Sequence, residues 1–142
     1  MSYHFPKSTI MKFDDAVAST KEALSRHNFD VLTEIDMRDV FRKTLDVDFH
    51  PYLILGVCNP QLSYRALRAE DKIGTMLPCN IIIQQQGGHT EISAVDPVAS
   101  MQAITNVEVG AIANDIRSLL QRVMDEVGNQ TNSCGGSRTA RT

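Results

Sequence analysis

Apolar residues change their spacing several times between Phe5 and Val127, and each change marks an element. "HFPKSTI", from His4 to Ile10, reads as a first strand. Pro6 has no amide hydrogen to give to a ladder, which places that strand at a sheet edge or a bulge. From Phe13 the period lengthens: Phe13, Val17, Thr20 and Leu24 fall at helical spacing, with Asp15, Lys21, Glu22 and Arg26 on the other faces. Asp14 or Asp15 can cap the start, and Asn28, which tolerates left-handed backbone, can close the end. "FDVLTEI" returns to alternation, with Phe29, Val31 and Ile35 expected on one side of a second strand. The mixed, charged stretch "DMRDVFRKTLDVDFH" reads as a loop with one helical turn.

"YLILGVC", Tyr52 to Cys58, is almost continuously apolar, the pattern of a central strand buried on both faces. Asn59 is a good N-cap and Pro60 suits the first helical position, so a helix is expected from Pro60, with Leu62, Ala66 and Leu67 as its stripe. "KIGTMLP" connects to the strand "CNIIIQQQ", and Gly87-Gly88 turns that strand into "HTEISAV", the strongest hairpin signal in the chain. Asp96-Pro97 opens a turn within a connector. Ile112, Ile116, Leu119, Leu120, Val123 and Val127 then form a sustained helical stripe ended by Gly128. Residues 129–142 are small and polar and are expected to be a disordered tail, so Cys134 is left out of any site. The order β-α-β-β-α-β-β-α predicts one α+β domain over residues 1–128. Its sheet is expected to be curved and mostly antiparallel, with helices on one face.

Composition narrows the function. At 142 residues and 42% hydrophobic, the chain can fill a core without disulfides. A formal net charge of -3 and no tryptophan give no basic, aromatic footprint for nucleic acid. No run approaches the roughly 20 apolar residues of a membrane span, nor is there a signal peptide, so a cytoplasmic protein is expected. Three cysteines, an odd number, argue against a disulfide framework.

"FDDAVASTKEALSRHNFDVLTEID", "DFHPYLILGVCNP", "ALRAEDKIGTMLPCN" and "AVDP", in this order, resemble the bacterial and archaeal domain of unknown function 302, over about Tyr3 to Val127. The resemblance implies a fold of the TATA-binding-protein-like α+β class and pairing as a homodimer. It implies no activity and no catalytic residues. What transfers is motif position: Cys58, Asn59, Pro60, Leu77, Pro78, Cys79 and Asn80. Such domains usually carry glycine where this chain has Asn28, and the tail after Gly128 matches no part of them.

Cys58 and Cys79, each followed by asparagine, are the best candidates for a site. Cys58 precedes a helix N-terminus, whose free amides and dipole favour a thiolate, yet a cysteine after Ile54, Leu55 and Val57 also looks like core. The first expectation is a homodimeric binding or accessory protein without catalysis or cofactor. Its small-ligand pocket would lie between sheet and helices near Cys58, Asn59, Pro60, Cys79 and Asn80. The alternative is a thiol-dependent redox or transfer protein in which Cys58 attacks and Cys79 resolves. A third reading, metal binding by these thiols with His50 or His89, lacks short ligand spacing. No nucleophile elbow, phosphate loop or calcium-loop pattern is present.

Overall fold

The computed structural model describes residues 2–128; the tail that was expected to be disordered lies outside the described residues. Five strands form one antiparallel sheet in the order β1-β5-β4-β3-β2. They are β1 (His4–Thr9), β2 (Asp30–Asp36), β3 (Tyr52–Cys58), β4 (Cys79–Gln86) and β5 (His89–Val95). The chain is α+β, with helices packed on the sheet as the pattern predicts.

Each strand presents alternate residues to opposite sides. Leu55 and Val57, Ile81 and Ile83, and Ile92 and Ala94 are fully buried on the side that carries helix α1 (Phe13–Arg26) and helix α5 (Val107–Glu126). α5 is the hub of that layer: α1, α3 (Pro60–Ala69) and the short α4 (Pro97–Ser100) all pack against it. Ile112, Ile116, Leu120 and Val123 are the buried members of its stripe, and Asn106 caps its start by accepting from the Glu108 and Val109 amides. At its other end Lys7 reaches from β1 to donate to the Met124 and Asp125 carbonyls in the last turn, where a cation suits the helix dipole.

Several local expectations hold for the reasons given. Asn59 Oδ1 accepts from the Leu62 amide at 3.2 Å and starts α3 with Pro60 in its first turn. Asn28 has a φ of 62°, the left-handed conformation that ends α1. Gln86 pairs with His89 across a two-residue loop whose first residue, Gly87, has a φ of 60°. Pro6 lies on an edge strand.

Other expectations need correction. Neither Asp14 nor Asp15 caps α1, whose start at Lys12 has no side-chain cap. β3 lies beside the central strand β4, and its outer residues Tyr52 and Ile54 are only half-buried. The charged stretch after β2 is a nine-residue helix, α2 (Met37–Leu45), capped by Asp36 through the Asp39 amide. Met37, Val40, Phe41 and Leu45 do recur at helical spacing, but the surrounding charges give the stretch the look of a loop, and none of its residues is buried. A bulge between Val31 and Thr33 also shifts the β2 register: Val31 faces Val57 and the core, whereas Ile35 pairs with Ile54 on the other side. One extra residue reverses the parity, so Val31 and Ile35 do not share a face.

Gly56 is where β3 admits close neighbours. A Cβ there would lie 2.8 Å from Pro78 Cγ and closer still to Thr33 Oγ1, so the proline ring and the threonine occupy the space that a side chain would need. At Gly88, by contrast, a Cβ meets nothing. Gly56→Ala is therefore expected to lower unfolding free energy by about 1–3 kcal/mol, and Gly88→Ala to leave it nearly unchanged. Urea denaturation of both variants checks this, and equal midpoints would remove the packing argument.

Candidate functional site

The β3–β4 register decides what the two Cys-Asn motifs do. Val57 stands opposite Cys79 and Gly56 opposite Asn80. Cys79 therefore shares the inner face with Val57 and is 5% exposed within the core, while Asn80 turns to the outer face and is exposed. Cys58, next along from Val57, falls on the outer side and is half-buried. Asn59 has left the strand to cap α3 and, with Pro60, borders a shallow depression shared with Asn28, Asp30 and Gln61. The five residues expected around one hollow thus do not share one: Cys79 lies inside, Asn80 outside, and Asn59 and Pro60 at the start of α3, while the space between sheet and helices at Cys79 is filled core.

A different concavity lies on the outer face, with a volume of about 510 Å³. Ile82, Ser93 and Val95 line it along β4 and β5, Tyr52 on β3, and Tyr3 and His4 at the start of the chain. Asn80 is the one expected site residue that lines it. The two-residue hairpin sets Gln84 opposite Glu91 and Ile82 opposite Ser93. Gln84 Nε2 donates to Glu91 Oε1 at 2.8 Å, and Gln84 Oε1 is 2.9 Å from His50 Nε2, so the amide is held from both ends. On the far side His4 Nδ1 hydrogen-bonds Ser93 Oγ, and Ser93 is buried. Burial first, then the Glu91 carboxylate and Tyr3, push the Tyr52 phenol upward, which keeps it a neutral donor.

Buried contacts hold the groove's outer wall. The Tyr3 carbonyl accepts from the Asp96 amide at 2.8 Å. Asp96 is itself buried, caps α4 through Val98 and lies 3.4 Å from Arg117 Nε of α5. That approach is an ion pair without hydrogen-bond alignment, since Arg117 Nε has no hydrogen-bond partner; the guanidinium also sits 5.6 Å from the centre of the Phe5 ring.

The model of the family "Domain of unknown function DUF302" matches residues 5–127. This chain belongs to the DUF302 family. Its fold is similar to that in the crystal structure of an uncharacterized conserved DUF302 protein from Bacillus stearothermophilus. The TM-score is 0.84 at 26% identity, covering 89% of this chain and 99% of that one. No curated protein matches. The DUF302 resemblance read from the motifs is thereby established, and with it the α+β class of the fold.

The remaining candidates in this DUF302 chain do not converge. His50 is engaged with Gln84, and His89 is exposed at the hairpin. No group of three or more His, Cys, Asp or Glu side chains forms a metal-ligand set among the described residues. No helix there is long and apolar enough to cross a membrane. The groove residues Tyr3, His4, Tyr52, Gln84, Glu91 and Ser93 escaped sequence reasoning, although the hairpin register alone would have paired Gln84 with Glu91.

Burial, with a lesser contribution from Cys58, pushes the Cys79 thiol up to about 11. A resolving thiolate is therefore disfavoured at Cys79. In a Cys134→Ser background at pH 8, Cys58 is expected to alkylate in the folded protein and Cys79 only after denaturation. The raised value also fixes a sign. Up to the unfolded thiol's ordinary value of 9.0 both states keep the proton, and between there and about 11 only the unfolded state releases it. Stability should fall over that window by about 2–3 kcal/mol. Cys79→Ala should lose less over the same interval in urea melts; an identical loss would contradict the assignment.

Proposed function

We propose that this DUF302 protein is a small-molecule binding or accessory module, and that its ligand sits in the groove on the outer face of the sheet. The observation that carries this reading is the held polar set His50–Gln84–Glu91 and His4–Ser93 around an apolar floor at Ile82 and Val95. Few, fixed polar groups over an apolar surface are what orient a small ligand, and about 510 Å³ is within the usual range of such sites. Ser93 has His4 beside it, but Ser93 is buried and no carboxylate pairs with His4 among the described residues, which favours binding over catalysis. Pairing with a second copy, implied by the family resemblance, belongs to the same proposal. Leu32, Ile35, Leu45 and Val47 offer exposed aliphatic surface near β2 and α2 for it.

A fragment screen followed by amide NMR shifts tests the location. Hits are expected to move Ile82, Gln84, Glu91 and Ser93, and Ile82→Trp, which fills the groove from its floor, should abolish them without unfolding the protein. Shifts centred on Asn59–Gln61 would refute the placement. Light scattering should give twice the 15.7 kDa chain mass; a monomer at high concentration would end the pairing proposal.

A further inference from the structure

The groove holds a single carboxylate, Glu91, and neither lysine nor arginine lines it. None of the ion pairs among the described residues involves Glu91. Its Oε1 is engaged by the Gln84 amide, and that amide is held by His50, so the carboxylate is fixed in place while Oε2 stays available. Two tyrosines, Tyr3 and Tyr52, line the same space.

We infer that the groove binds a small organic cation: a ligand whose ammonium or guanidinium group meets Glu91 Oε2 and whose carbon body lies over Ile82 and Val95 beside the tyrosine rings. This deepens the groove reading and rests on it. The chemistry is selective by sign. A donor cation gains a charge-assisted hydrogen bond and attraction to aromatic faces, whereas an anion meets an uncompensated carboxylate. The influence of Glu91 on the Tyr52 phenol agrees with a carboxylate whose charge is felt across the groove. A hard divalent metal is a poor fit, since it would need several oxygen ligands and Glu91 is the groove's one carboxylate. Asn80 remains to hydrogen-bond polar groups elsewhere on the ligand.

Three probes of matched shape test the inference on the full chain by amide NMR titration: phenethylammonium, 2-phenylethanol and 3-phenylpropanoate. The ammonium should shift Ile82, Gln84, Glu91 and Ser93 and bind about tenfold or more tighter than the alcohol, with the carboxylate weakest. Glu91→Gln, which preserves an acceptor for Gln84, should bring the ammonium down to the affinity of the alcohol. Equal binding of alcohol and ammonium to the wild type would overturn the cation inference and leave the groove standing. Preference for the carboxylate would reverse its sign, and absence of groove shifts with all three probes would overturn both readings. Should Glu91→Gln fail to fold, the three-probe ranking on the wild type still decides.

Discussion

The antiparallel register between β3 and β4, with Val57 opposite Cys79, is the constraint on which the rest depends. Pleated strands send neighbouring residues to opposite sides, so one pairing assigns every side chain of both strands to a face. It sends Val57, Leu55, Cys79, Ile81 and Ile83 into the core and leaves Tyr52, Asn80, Ile82 and Gln84 on the other side. A slip of one residue would bury Asn80 and Gln84 with no partners in an aliphatic layer, at a cost of several kcal/mol. The hydrophobic pattern therefore locks the register, and the register in turn creates the groove.

The two faces are joined through the chain's ends as well as through the strands. α5, packed on the inner face, carries Arg117 beside buried Asp96, and Asp96 in turn binds the backbone of Tyr3. A helix on one side of the sheet thus positions a wall of the cavity on the other. At the far end of α5, Lys7 caps the last carbonyls, while Glu126 receives hydrogen bonds from His27 and Arg26 of the α1 terminus. Burial opposes ionisation of Glu126, but those bonds outweigh it and keep the carboxyl below its ordinary range. The α1 and α5 termini are tied together by charge, and the body of each helix by apolar contact.

Much of this architecture was legible from local chemistry. Asn59 with Pro60, Asn28, and Gly87 with Gly88 each announced a cap or a turn, because the backbone at those points needs those residues. The α5 stripe was readable because Ile112, Ile116, Leu120 and Val123 all face one core. α2 was not, although Met37, Val40, Phe41 and Leu45 repeat at helical spacing, because charged residues surround that short stripe between Asp36 and Asp46. The bulge in β2 was hidden because a single inserted residue leaves composition unchanged while reversing the side on which Ile35 lies. The groove was harder still to read: its residues come from separate strands, and each polar position taken alone looks like an ordinary solvent-facing residue. The Cys-Asn repeat drew attention for its rarity, yet its members meet different needs, a core thiol at Cys79 and a helix cap at Asn59.

Labelling of cysteines introduced one at a time along β4, in a background lacking the native thiols, tests the two-faced sheet most directly. Ile82→Cys and Gln84→Cys should react readily with a bulky maleimide in the folded protein, while Ile81→Cys and Ile83→Cys should react only as the protein unfolds. Comparable rates at adjacent positions, or protection at 82 with reactivity at 83, would contradict the register and remove the groove built on it.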